Sequence, residues 1–200
     1  VADTGGRTRR RGKDLLDAIY AAAVEEAAAA GPGRLTMDAI AKRAATARTT
    51  LYRRWSDPLD LLLDALADLH PVEQPTPSAD DLRGDLIDSL RLMIEWGFSP
   101  AGRAVMAILA DPARDPAVVD ALFERVFARR GGTFTQTVLR HYADNGRIDP
   151  DRLTPVVLDI GEALVTKRMI DTGRAPDDHD LADIVDQAIL PAIGLDPRTG

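Results

Sequence analysis

The chain has no cysteine, which excludes a disulfide framework and any zinc finger built on thiolate ligands. Histidine occurs three times, at His70, His141 and His179, and His70 falls in a proline-rich break. Aromatic residues are scarce at 4%, and Ala and Leu dominate the apolar set, a composition that favours helix over sheet. No apolar run reaches 18 residues and there is no signal-peptide core, so a soluble, cytoplasmic protein with no membrane contact is expected. Gly-x-Gly-x-x-Gly, P-loop and Gly-x-Ser-x-Gly patterns are missing, which leaves Ser56, Ser89 and Ser99 without a nucleophile context. The run Asp177-Asp178-His179-Asp180 reads as an acidic cap and first helical turn rather than a metal cluster. No catalytic residue, metal or cofactor is expected.

Charge is present and unevenly placed. Residues 1–55 carry 11 Lys and Arg against 6 Asp and Glu, whereas the remaining residues carry 14 against 26. A basic head on an acidic body turns one end of a molecule toward nucleic acid and repels it from the other. Within the head, LTMDAIAKRAATARTTLYRRW (35–55) reads as two short helices joined by a tight turn. Thr36 suits an N-cap before the apolar positions Met37, Ile40, Ala41 and Ala44. In the second helix Leu51 and Trp55 repeat at i and i+4 on a buried face, leaving Arg48, Thr49, Tyr52 and Arg53 outward. Guanidinium and hydroxyl groups so arranged suit phosphates and base edges in a DNA major groove.

With these residues in view, the stretch resembles the N-terminal DNA-binding domain of the TetR family of bacterial transcriptional regulators. LTMDAIAKRA corresponds to the supporting helix, TLYRRW to the recognition helix and its exit, and LDLLLDAL to the start of the connecting helix. The resemblance covers about residues 15–66 and departs from the family pattern three times. Ala45 stands at a turn position usually filled by Gly, Ala47 at a cap usually filled by Ser, and Pro58 where a Lys is common. Ala45 is expected to keep a right-handed turn. Ala47 should cost about 0.5–2 kcal/mol of capping unless Thr46 substitutes. The DNA-contacting set implied is Thr36, Arg48, Thr49, Thr50, Tyr52, Arg53 and Arg54, with Arg48 and Thr49 reading bases and Tyr52 holding a phosphate.

The rest of the chain reads as helix. A long helix over 13–30, preceded by a basic arm over 1–13, ends at Gly31-Pro32-Gly33, and another follows Ser56-Asp57-Pro58 over 59–69. Further helices are expected at 79–97, 100–110, 116–130, 132–145, 154–172 and 178–193, broken by Pro, Gly and Asn signals. The fold class is therefore all-α: a helix-turn-helix head over 1–58 and a helical effector and dimerisation body over 59–200. An effector pocket is expected among Met93, Trp96, Met106, Phe123, Phe127, Phe134, His141, Tyr142 and Met169, an apolar set with polar handles. Glu95, beside Trp96, can orient a ligand amine if partly buried, although a surface salt bridge is the commoner fate. The last two helices carry wide apolar stripes that can close inside one chain or against a symmetry mate. The resemblance implies the second use, a homodimer seam through Val157, Ile160, Leu164, Leu181, Ile184, Val185 and Ala188.

The sequence thus predicts a homodimeric regulator that binds a palindromic double-stranded DNA operator and is released by a small-molecule effector. The competing class is a helical small-molecule-binding protein or enzyme that does not act on DNA. Duplex affinity that falls steeply with salt separates the two.

Overall fold

The computed structural model describes residues 12–128 and 132–196, and among these there is no strand. The expected basic arm, with Arg7, Arg9, Arg10 and Arg11, and the break signal at Arg130-Gly131 lie outside the described residues. The helices are α1 (Lys13–Ala30), α2 (Met37–Arg43), α3 (Arg48–Tyr52), α4 (Pro58–Leu69), α5 (Leu82–Phe98), α6 (Pro100–Leu109), α7 (Pro116–Leu122), α8 (Thr135–Asp144), α9 (Pro155–Thr172) and α10 (Asp178–Ile184). α7 continues into a wide π turn at Phe123–Phe127; α10 runs through another at Val185–Ile189 and ends in Leu190–Ala192.

Local chemistry sets several ends. Gly31 closes α1 at φ 86°, a backbone that suits glycine, and donates its N–H to Ala27 at 2.9 Å. α5 begins at Leu82, later than the expected 79, because the Asp81 carboxylate caps the N–H of Gly84 at 3.0 Å. α8 begins at Thr135 because Phe134, at φ 44°, is outside helical space. The acidic run at 177–180 forms a reciprocal capping box: Asp177 accepts from the N–H of Asp180 at 3.0 Å, and Asp180 accepts from that of Asp177 at 3.3 Å.

Packing divides the chain into two units. The first holds the chain through Leu69 together with Pro100–Ala121; the second holds His70–Ser99 and the chain from Leu122 onward. In the first unit α1 packs against α2, α4 and α6, burying Ile19, Tyr20, Ala22, Ala23, Val24 and Ala27. Three alanines on that face let the helices approach closely. α4 contributes Leu61, Leu62, Leu63, Ala65 and Leu66 to the same core. Each fully buried leucine there stabilises the unit by about 1.5–3 kcal/mol. The boundary expected after residue 58 therefore falls inside the first unit, whose core extends through α4 and takes in α6.

In the second unit Leu86 and Leu90 of α5, Val138, Leu139 and Tyr142 of α8, and Leu158 and Val165 of α9 meet Leu181, Ile184, Val185 and Ile189. Gly161 permits the closest approach. A Cβ there would stand 2.8 Å from Thr135 Cγ2, 3.1 Å from Ile189 Cδ1 and 3.2 Å from Leu90 Cδ2.

Candidate nucleic-acid interface and interior site

The interface is built on two buried pegs. Leu51 is fully buried, and Trp55 packs edge-on to Tyr20 at 6.0 Å while its Nε1 donates to Asp64 at 2.9 Å. They hold α3 so that Arg48, Thr49 and Tyr52 stand exposed and Thr50 half-exposed, with Arg53 and Arg54 exposed just after the helix. All the predicted DNA-contacting side chains of this segment are thus brought to solvent together. Thr36 caps α2, its hydroxyl oxygen accepting from Ala39 N–H at 3.2 Å.

One detail of the turn departs from expectation. Ala45 adopts φ 54°, a left-handed residue rather than a right-handed one. The cause is a Schellman closure of α2: Thr46 N–H donates to Ala41 at 3.0 Å and Ala45 N–H to Lys42 at 3.2 Å, a pair that requires left-handed geometry at the residue between. An alanine so placed costs about 1–2 kcal/mol. Ala47, the N-cap of α3, makes no side-chain cap, as expected of alanine, and Thr46 does not replace it.

Arg48 is held in place before any DNA arrives. Its Nη1 lies 3.1 and 3.3 Å from the two carboxylate oxygens of Asp38, its Nη2 donates to Tyr52 Oη at 3.3 Å, and its Cζ sits 5.1 Å from the Tyr52 ring centroid. The hydrogen bond to Tyr52 and the negative charge of Asp38 hold the guanidinium pKa above its ordinary value.

The second unit contains a different kind of site. The rings of His70 and Trp96 lie 4.9 Å apart, His70 and Phe134 5.4 Å, His70 and Phe127 5.6 Å, and Trp96 and Phe134 5.8 Å. Beside them Glu73, 8% exposed, accepts from the N–H of Phe134 at 2.6 Å and so holds that residue in its positive-φ conformation. Glu162 of α9 accepts from the Thr133 hydroxyl at 3.0 Å. Burial pushes its carboxyl up to about 7, reinforced by the charges of Asp159 and Glu73 and opposed by the Thr133 hydrogen bond. Two polar groups here have no partner: Trp96 Nε1, a buried atom, and the hydroxyl of Thr135, a residue 1% exposed. A cleft of about 380 Å³ opens in the same unit between the 72–75 segment and α5, lined by Val72, Glu73, Ser89, Leu92, Glu95 and Val138 among others.

Of the predicted pocket residues, Trp96, Phe127 and Phe134 come together, and none of the nine lines this cleft. Met93 and Met169 pack against the unit's core. Phe123 is half-exposed, 5.3 Å from Phe127, and Met106 is half-exposed in the first unit. His141 and Tyr142 are structural: His141 Nε2 meets the carbonyl of Thr76 at 3.0 Å, and the Tyr142 hydroxyl donates to Asp85 at 2.7 Å while accepting from Asp81 N–H at 3.0 Å. They tie the segment before α5 to α8. Glu95 is exposed; besides Asp85, which is bonded to Tyr142 and Thr76, the carboxylates drawn away from solvent here are Glu73, buried, and Glu162, half-buried. Sequence reading missed both, together with His70 and Thr133. One signal was available for Glu162: a carboxylate one turn from Leu158 and Val165, on the buried side of α9.

The expected dimer seam also divides. Leu181, Ile184 and Val185 are buried in the chain's own core and cannot face a partner without unfolding it. Val157, Ile160 and Ala188 are half-buried, whereas Leu164 is exposed and Val156 and Ile170 of the same helix are 75% and 74% exposed.

Two short helices joined by a tight turn, with arginines and hydroxyls presented from the second on apolar pegs, have the form of a helix-turn-helix. Residues 19–65 match the tetR family of bacterial regulatory proteins, and residues 76–188 match the tetracyclin repressor-like C-terminal domain. The chain is 29% identical over 164 residues to an uncharacterized HTH-type transcriptional regulator of Mycobacterium tuberculosis, covering 82% of this chain and 80% of that one. It is 27% identical over 182 residues to the DNA-binding transcriptional repressor TetR of Mycobacteroides abscessus, covering 90% and 94%. Among solved structures, the TetR family transcription regulator SCO0332 superposes with a TM-score of 0.60 at 24% identity, covering 88% of this chain and 97% of that one. SmeT, repressor of the multidrug efflux pump SmeDEF of Stenotrophomonas maltophilia, does so at 0.54 and 18%, covering 88% and 87%. The chain belongs to the TetR family and is a DNA-binding transcriptional regulator. No described helix is long and apolar enough to cross a membrane.

Proposed function

We propose that the protein is a homodimeric repressor that reads a palindromic operator with α3 and releases it when a small molecule occupies the second unit. The observation that carries the DNA assignment is the exposed set Arg48, Thr49 and Tyr52 on α3, with Arg53 and Arg54 just after it, on a segment anchored from behind by buried Leu51 and Trp55. Arg48 and Thr49 read base edges; Tyr52, Thr50, Arg53, Arg54 and Thr36 hold the backbone. Dimerisation runs through the outer face of α9, where Val156, Ile160 and Leu164 recur at i+4 spacing. An isologous pairing there presents two reader helices to half-sites about one DNA turn apart, or a multiple of it.

The effector has a flat apolar body and a cationic or hydrogen-bonding group. Aromatic rings of His70, Trp96, Phe127 and Phe134 suit the body, and the buried carboxylates of Glu73 and Glu162 suit the charge. SmeT, similar in fold, is known as a complex with triclosan.

A salt series on a duplex selected by the protein from a randomised pool, and on a scrambled duplex of the same composition, tests the first part. The expected result is tight, salt-dependent binding with a preference for the selected duplex. Absence of duplex affinity at low salt leaves the helical binding protein or enzyme as the reading. For the second part, aromatic amines should raise the melting temperature and release the duplex more than matched neutral or carboxylate compounds. A panel in which charge makes no difference overturns the cationic assignment.

A further inference from the structure

The reader segment carries three arginines, and they are not equivalent. Arg53 and Arg54 make no ion pair with a described residue, whereas Arg48 is clamped between Asp38 of α2 and Tyr52 one turn along α3. We propose that Asp38 is a specificity-determining positioning residue, which holds Arg48 in the orientation that reads base edges and withholds it from phosphates. The inference rests on the assignment of α3 as the reader.

Two physical effects support it. A guanidinium beside a carboxylate has its long-range field largely cancelled. Its attraction to the uniform charge of the DNA backbone therefore falls, while its short-range hydrogen-bonding directions are kept. The clamp engages Nη1 with Asp38 and Nη2 with Tyr52 and leaves Nε–H without a partner in it, so the planar guanidinium keeps donors for a base edge. A loose arginine loses side-chain freedom on docking; Arg48, biased by the clamp, has less to lose. The supports of the clamp are rigid, since Met37, Ile40 and Ala41 bury α2 and Leu51 buries α3. Arg53 and Arg54, free to extend, serve the sequence-independent backbone contacts. The exposed Asp38–Arg48 pair contributes little to stability. Its consequence lies in which DNA is preferred.

The test compares the wild type with Asp38→Asn, Arg48→Ala and the double variant, on the selected duplex and its scrambled counterpart across a salt series. Asp38→Asn should bind the scrambled duplex about 3–10-fold more tightly, with the salt slope steeper by about one, because a released Arg48 takes up a phosphate. Affinity for the selected duplex should change by less than about threefold, so the preference narrows by about 3–10-fold. In the Arg48→Ala background the same substitution should leave the preference unchanged. Asp38→Glu, which keeps the charge, should restore most of it.

If Asp38→Asn strengthens both duplexes equally, or acts as strongly without Arg48, Asp38 is only a source of repulsion and the proposal fails. A change of preferred base at a second position makes Asp38 a direct reader and also overturns it. Failure of the reader assignment looks different, because Arg48→Ala then leaves the preference intact by itself.

Discussion

The two charged sites of this chain place ionic groups in opposite surroundings. On α3 and the turn after it the guanidinium groups stand in water, and only the supports of that segment, Leu51 and Trp55, are buried. In the second unit Glu73 is taken out of water beside Phe134 and Glu162 is largely withdrawn from it, and the chain bears that cost with few compensating hydrogen bonds. A DNA reader needs exposed charge on a rigid base, because phosphates come to it from solvent. The effector proposed for the second unit meets the reverse, a desolvated charge whose unfavourable burial a bound ligand of opposite sign relieves.

The largest expected effect tests which apolar residues of the second unit face inward. Ile184→Asp puts an unpaired charge into the core and should cost about 3–5 kcal/mol, or abolish folding, in a urea titration. Leu164→Asp, on the exposed face of α9, should leave the melting temperature of the monomer near normal and abolish the dimer in sedimentation. A folded Ile184→Asp protein would show that this side chain is not in the core.

Glu162 offers a pH test of the buried charge. As pH rises from 4.5, the ordinary carboxyl value, toward about 7, the unfolded chain gives up a proton that the folded chain still holds. Stability therefore falls through that window and is level above it, by about 1–3 kcal/mol for this one group. Glu162→Gln should flatten the window and gain that amount near pH 8, as read from urea midpoints at about pH 5 and about pH 8. An unchanged slope would mean that Glu162 is solvated.

The exposed charges should behave otherwise and affect recognition with little effect on folding. Arg48→Ala should cost about 1–3 kcal/mol on the selected duplex and much less on the scrambled one, whereas Tyr52→Phe should weaken both by about 1 kcal/mol. Equal losses on both duplexes for Arg48→Ala remove it as a reader. The smallest effect belongs to the turn between α2 and α3. Ala45→Gly relieves the left-handed strain but adds freedom to the unfolded chain, for a net gain of about 0.5–1 kcal/mol in chemical denaturation. A loss of stability would show that the turn does not require positive φ.

The helix-turn-helix was legible because its signals are local. Thr36 caps a turn three residues away, and Leu51 and Trp55 mark a face by i+4 spacing, so sequence order and spatial order nearly coincide. The all-α class, the short helix α3 and its outward Arg48 follow from such patterns alone. The aromatic part of the interior site was half legible: Trp96, Phe127 and Phe134 could be picked out as large apolar residues, while the histidine among them sat in a stretch with no periodicity.

What only the tertiary structure decided are pairings across long separations and choices between equivalent faces. Glu73 meets Phe134, and Tyr142 meets Asp85, at separations of 61 and 57 residues, where no pattern in one segment reveals its partner in the other. Leu181, Ile184 and Val185 form a stripe that suits a partner chain or the chain's own core, and only the packing of α5, α8 and α9 against it selected the core. Ala45 took positive φ because two hydrogen bonds closing α2 outweighed its intrinsic preference. Spacing along a helix determines which residues share a face, whereas what that face meets depends on the free energy of the whole packed unit.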